Sequence, residues 1–388
     1  MSPSLRLGLF YSAIFIGSGA ASPYLPVWLK HHGLSGTQIG LLFALPQMAR
    51  IVTAPAIAVW ADGFALRRTA LALLSLGVVG AYALMGAPLG FVGWTVVWFV
   101  AASLNGALAP LVDVMALARS RRDGFNFGWP RGIGSSAFII GNVGMGALLA
   151  RYSPDLVLIW MLVSAALTVA VAAFVLPPDP VHEDAHPVAD RADRWAGVGE
   201  LLRDRGFMAA VIAAGLIQSA HAFYYGFSTL SWKAQGIPDS LTGILWAVGV
   251  AAEVVFLWFL EPWRRRIGPR RLLALGGVAA VVRWTAFAFA PPLWLVFPLQ
   301  TLHAFSYAAT FLASVQLVER LSSPRNASAA QSINSALSGG VLMGLASLAS
   351  GWTFDHCGAG GYLLMSAMCV AGLIAAVRLN GEARLAAR

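Results

Sequence analysis

Apolar runs about 20 residues long alternate with short polar segments along the whole chain. As a helix rising 1.5 Å per residue, each run can cross a hydrocarbon layer about 30 Å thick. Twelve such spans are predicted, at 7–29, 36–60, 69–87, 91–118, 132–151, 155–176, 207–230, 240–262, 271–290, 293–319, 328–351 and 360–378. The longest hydrophilic stretch, PPDPVHEDAHPVADRADRWAGVGELLRDRG from Pro177 to Gly206, divides them six and six. Its proline and charge content reads as a linker ending in a short surface helix. The expected organisation is an all-α membrane protein with one six-helix bundle over 1–176, a cytoplasmic linker over 177–206 and a second bundle over 207–388.

Composition agrees, since 58% of the 388 residues are hydrophobic and 11% charged, whereas soluble domains carry about 25% charged residues. A net charge of +9 could suggest nucleic acid, but its placement argues for topology instead. Most Lys and Arg lie in the termini and the even-numbered connections, including Arg67, Arg68, Arg119, Arg121, Arg122 and Arg264 to Arg271, while the odd-numbered connections hold only Lys30, Arg151 and Lys233. The positive-inside rule then places both termini in the cytoplasm. The first span has a basic residue, Arg6, before it and the small residues SGAAS at 18–22 within it, as a secretory leader would; a retained helix is expected because the internal repeat includes its end. Cys357 and Cys369 fit no metal or disulfide pattern, and no phosphate-binding loop, zinc-ligand helix or nucleophile elbow is present in the sequence. No enzyme and no cofactor are expected; energy would come from a gradient.

Shifting the first half by 203 residues brings Lys30 onto Lys233, Gly33 onto Gly236, Gly40 onto Gly243, Leu42 onto Leu245, Ala44 onto Ala247 and Arg67-Arg68 onto Arg270-Arg271. Parallel repeats of this kind enclose a substrate site near the bilayer midplane, reached alternately from each side. A smaller echo, Q-x-x-H-A-F-x-Y, occurs at 218–225 and 300–307. Its spacing puts Gln, His and Tyr on one helix face in both copies.

Seven ionisable side chains fall deep inside spans: Arg50, Asp113, Arg131, His221, Glu253, Arg283 and His303. Charge facing lipid is costly, so each is expected to turn toward protein or a water-filled cavity. Three arginines against two carboxylates leave one positive charge over, which suits a substrate carboxylate held by the planar guanidinium fork. Arg131 and Arg283 are the candidates for that contact, with Tyr225, Trp246, Gln300 and His303 lining the site. Asp113, Glu253, His221 and His303 are the candidates for coupling protonation to substrate release. Asp113 would hold Arg131 when no substrate is bound and free it on protonation.

The segment DGFALRR, from Asp62 to Arg68, resembles the G-x-x-x-D-x-x-G-x-R-R loop of the major facilitator superfamily. Ala58 and Ala65 replace its glycines, while Gly268, Arg270 and Arg271 restore part of it in the second half. The resemblance implies that Asp62, Arg67, Arg68, Arg270 and Arg271 belong to loops that control the conformational change, and that the fold is the two-bundle major facilitator fold. APLVD ending at Asp113, followed by Arg131 18 residues on, is similar to the helix-four carboxylate and helix-five arginine of the lactose permease type. Arg283 with His303, and Glu253, are similar to that type's arginine, histidine and helix-eight carboxylate. Ser306 and Gln300 stand where that type has its proton-carrying glutamate and a lysine, so its proton site does not transfer.

PVWLKHHGLSGTQIGLL, LIQSAHAFYYGFSTLSWKAQG, GILWAVGVAAEVV, VVRW and LQTLHA look like the phenylpropionic acid transporter branch of the superfamily. That branch implies proton-coupled import of 3-phenylpropionate or a related small aromatic monocarboxylate across the bacterial inner membrane. The expected partners are an anionic small molecule, protons and the bilayer, with no nucleic acid; a monomer is expected because each half finds its partner within the chain. The alternatives are a nucleoside or sugar symporter on the same fold, or an exporter.

Overall fold

The computed structural model describes residues 1–181, 197–323 and 326–386, the last nine of these by backbone alone, and is almost wholly helical. Most of the linker expected over 177–206 lies outside the described residues. The membrane helices are α1 (Pro3–His31), α2 (Gly36–Asp62), α3 (Arg67–Met85), α4 (Gly90–Asp123), α5 (Gly128–Leu149), α6 (Leu156–Phe174), α7 (Arg205–Ala234), α8 (Asp239–Phe259), α9 (Pro269–Ala288), α10 (Leu293–Arg320), α11 (327–357) and α12 (Tyr362–Ala386). Between α11 and α12 the helix narrows to a single 3₁₀ turn, Gly358–Gly361, where Gly358 has φ +54°. The helical run Ala327–Val377 therefore holds two crossings. Short helices at Val198–Arg203 and Glu261–Ile267 precede α7 and α9.

The described chain falls into two compact units. One comprises Met1–Leu34, the described part of Ala49–Pro187, and Pro238–Ile244; the other comprises Ser35–Met48, the described part of Val188–Ile237, and Leu245 onward. Each unit thus takes the leading turns of a helix, α8 or α2, whose remainder belongs to the other.

In lipid there is no hydrophobic drive between helices, so association depends on close packing, often through small residues. In the first unit α1 packs against α5 in this way. A methyl group at Gly19 would overlap the carbonyl oxygen of Phe138, and one at Gly141 that of Ile16. Leu7, Phe10 and Ile14 of α1, Leu71 and Leu74 of α3, and Leu108, Val112 and Met115 of α4 form its core. Gly243, in the leading turns of α8, packs so tightly that a Cβ would overlap the Asn142 carbonyl. Beside it the Tyr24 hydroxyl donates to the carbonyl of Asp239 at 3.0 Å.

The second unit repeats the device. A Cβ on Gly40 would sit 2.6 Å from the carbonyl oxygen of Ser347. The start of α2 is capped from α11: Asp355 accepts from the backbone N–H of Gly36 at 2.6 Å, and from the N–H and hydroxyl of Thr37, both at 2.7 Å. A carboxylate suits a helix N-terminus because the first N–H groups have no partner within the helix and the dipole there is positive. The glycines aligned by the 203-residue shift share their geometry as well. Gly33 and Gly236 follow α1 and α7 with φ +86° and +81°, in the left-handed region that favours glycine.

Candidate functional site

Two polar clusters occupy the membrane region, one in each unit. In the first, α4 brings Asp113 to Arg131, which α5 carries in its first turn. Arg131 Nη1 donates to Asp113 Oδ1 at 3.1 Å and Oδ2 at 3.4 Å. Tyr11 of α1 donates its hydroxyl to Asp113 Oδ1 at 2.5 Å. The guanidinium also lies over the rings of Tyr11 and Phe15, 5.4 and 5.3 Å from their centroids. Side chains of Asp113 and Arg131 remain 31% and 40% accessible, so the pair is reachable from outside the protein interior.

The second cluster is closed. Arg283 of α9 is fully buried. Its Nη1 donates to His303 Nδ1 at 2.7 Å and to the Ser306 hydroxyl at 3.3 Å, and its Nη2 donates to Gln300 Oε1 at 2.6 Å. Gln300 in turn donates to the Tyr224 hydroxyl at 2.9 Å and the Leu245 carbonyl at 2.8 Å. The guanidinium stacks over Tyr224 and Trp284, within 4.7 and 4.6 Å of the ring centroids, adding cation–π attraction.

Donor and acceptor logic fixes the proton position of His303. Arginine only donates, so His303 Nδ1 is the acceptor and carries no proton; its Nε2–H then points at Glu253 Oε1, 2.7 Å away. His221 Nδ1–H donates to the Gln218 carbonyl at 3.0 Å, and its Nε2 lies 3.2 Å from the Ser306 hydroxyl. His303 is therefore neutral and bridges the Arg283 guanidinium to the Glu253 carboxyl group. Ser306 and Gln300, the departures from the lactose permease pattern, accept from the terminal nitrogens of the arginine.

The Q-x-x-H-A-F-x-Y echo brings its two copies together. His221 and His303 lie with ring centroids 5.3 Å apart, and Tyr307 is 5.5 Å from His221 and stacks on His303 at 5.3 Å. Both helices are irregular at this point. An Ala220 break interrupts α7 before His221, and a π turn, Ala304–Ala309, follows His303. Such turns recur at functional sites. Trp246 stacks on Tyr224 at 4.4 Å and lies 6.0 Å from Tyr225.

Arg50 joins neither cluster. It is exposed, with no ion pair or hydrogen bond among the described residues. The surplus charge counted in the sequence therefore falls on Arg50, because Arg131 and Arg283 are both engaged.

Across the loop between α2 and α3, Arg67 lies 3.9 Å from Asp62 and donates to the Val181 carbonyl at 3.0 Å. An antiparallel bridge joins Leu66 to Pro180, and Asp179 receives Arg119 Nε on both oxygens at 2.8 Å. Arg270 and Arg271 open α9, after an exposed Arg265–Glu261 pair at 2.6 Å. The sequence reading omitted Tyr11, Tyr224, Ser306, Tyr307 and Asp179 from the site. Tyr307 had a signal as the last letter of the echoed motif, Ser306 as a departure from the lactose permease pattern, and Tyr224 as a neighbour of the first histidine stripe.

The model of the MFS_1-like family matches residues 4–364. The chain is 28% identical to the "Probable 3-phenylpropionic acid transporter" of Escherichia coli (strain K12), over 93% of each chain. It is 30% identical to the maltose permease of Geobacillus stearothermophilus, over 97% of this chain and 95% of that one. Among solved structures, that of the nucleoside transporter NupG superposes with a TM-score of 0.83 at 15% identity, covering 98% of this chain and 99% of that one.

Proposed function

For a chain that belongs to the MFS_1-like family of the major facilitator superfamily, we propose proton-coupled import of a small aromatic monocarboxylate of the 3-phenylpropionate kind, by alternating access. The observation that carries this reading is the charge balance inside the membrane region: three arginines against two carboxylates, with His303 held neutral by the guanidinium that donates to it. A net cation there favours an anionic solute. The relative of E. coli, similar over nearly the whole chain, supports the same class.

In this reading Asp113 holds Arg131 until a proton arrives. A protonated Asp113 no longer neutralises Arg131, whose guanidinium turns to the substrate carboxylate; deprotonation on the other side restores the pair and releases the acid. Tyr11 steadies Asp113 in both states. Glu253 and His303 form a second proton site, where a proton on Glu253 would leave Arg283 without its balancing charge. His221, linked through Ser306, senses the same change. The protein works as a monomer in the bacterial inner membrane with both termini cytoplasmic, draws on the proton gradient and needs no cofactor.

The test is uptake of labelled 3-phenylpropionate into proteoliposomes with and without an inward proton gradient. Gradient-dependent accumulation is the expected result; none under either condition would overturn the reading. The likeness to maltose permease and to the NupG fold favours a second reading, a sugar or nucleoside symporter. It predicts accumulation of a neutral solute instead.

A further inference from the structure

Arg50 sits near the middle of α2, about 21 Å from the Gly36 end and about 18 Å from the Asp62 end at 1.5 Å per residue. Those distances exceed what an arginine side chain can cover to reach either membrane interface. With about 100° between successive residues, Arg50 shares a stripe with Ala54, Ile57 and Ala61. Ala61 is buried, Ala54 and Ile57 are half-buried, and Ile57 packs against the core formed by α1, α3, α4 and α6. The opposite stripe is open, with Val52 71% and Val59 70% exposed. Arg50 is thus on the protein-facing side of its helix and nonetheless exposed. A guanidinium at mid-depth on that side faces water rather than lipid.

Its availability sets it apart from the other two intramembrane arginines. Arg131 is occupied by Asp113 at 3.1 Å, and Arg283 is enclosed by His303, Gln300 and Ser306. Among the described residues nothing neutralises Arg50.

We propose that Arg50 is the standing receptor for the carboxylate of the transported acid, its guanidinium fork pairing with both oxygens. The inference rests on the anionic-substrate reading above and adds an order of events. Arg50 captures the acid before Asp113 takes its proton, while Arg131 is still held by Asp113. Arg50 would then be the residue that selects acids over neutral solutes of the same shape.

The experiment measures binding of 3-phenylpropionate and its neutral isostere 3-phenylpropanamide to the purified full-length protein and to Arg50→Gln and Arg50→Lys. The wild type should favour the acid by about tenfold or more, the size of a charge-assisted contact. Arg50→Gln should lose that preference while keeping the wild-type affinity for the amide, which also shows that it is folded. Arg50→Lys should keep part of the preference. An undiminished acid preference in Arg50→Gln would overturn the proposal.

A second arm does not depend on the solute. Arg50→Cys, with Cys357 and Cys369 replaced by serine, should react from water with an anionic thiosulfonate reagent; no reaction would show a lipid-facing position and overturn the proposal. Substituting aliphatic monocarboxylates and their amides separates the two claims. An Arg50-dependent preference confined to aliphatic acids supports the role of Arg50 and overturns the aromatic reading. A wild type that prefers no carboxylate over its amide overturns both.

Discussion

The two charged clusters are built from the same kinds of groups and differ in access. Asp113 and Arg131 stay 31% and 40% accessible, so an incoming proton or anion can compete for either partner. Arg283 is sealed, and His303 and Glu253 keep only 7% and 19% of their side chains accessible. An accessible pair can exchange partners at modest cost, whereas breaking a buried one leaves an uncompensated charge. The first cluster is therefore suited to exchanging partners, and the second to holding helices α7, α9 and α10 in one arrangement.

The largest expected effect comes from opening the sealed cluster. Arg283→Gln strands the carboxylate of Glu253 and should cost about 3–5 kcal/mol. In detergent, thermal unfolding should show a large loss of folded protein; a variant of wild-type stability would erase the distinction between the clusters. Asp113→Asn should do the reverse. Its thermal midpoint should stay close to wild type, while gradient-driven accumulation falls by about tenfold or more, equivalent to about 1.4 kcal/mol of lost coupling. Full accumulation in that variant would remove Asp113 from the proton step.

An intermediate effect should follow from Gly243→Ala. The added methyl meets the Asn142 backbone, which cannot rotate aside as a side chain would. Overpacking of this kind costs about 1–3 kcal/mol, and a slower uptake rate is the readout.

The smallest effect concerns Asp155, which precedes α6 and lies outside the membrane. The hydrogen bond from His32, at 2.8 Å, holds its carboxyl below the usual carboxylate range, with Ser153 and Trp28 also donating. A carboxylate lowered in the folded state stabilises above its unfolded value, about 3.9, and loses that contribution as pH falls through the folded value. Asp155→Asn should therefore lower the thermal midpoint slightly at neutral pH, with the difference from wild type vanishing in strong acid. A constant difference across that range would show that packing, not charge, is what Asp155 supplies.

Much of this was legible in the sequence because it is periodic or local. Span length follows from bilayer thickness, and the aligned Gly33 and Gly236 mark matching left-handed turns. The 18-residue spacing from Asp113 to Arg131 is bridged by a helix end, a short loop and the next helix start, so that pair could be read as well. Tyr11 could not, since it reaches Asp113 across 102 residues with no repeating pattern. Asp179 was hidden for a similar reason: its role depends on the chain after α6 returning beside the loop that carries Arg67. The charge count left one cation over, yet counting cannot say which. Only the burial of Arg283 and the engagement of Arg131 show that it is Arg50.

The carboxylate of Asp355 has one more consequence. The amides of Gly36 and Thr37 stand ahead of the hydrogen-bond ladder of α2, so their shielding from solvent is owed to a side chain on another helix. Deuterium replaces such protons only in the moments when the two helix ends are apart. These two positions form a clock already written into the backbone, whose rate reports how often that contact opens during transport, with no dye or spin label attached.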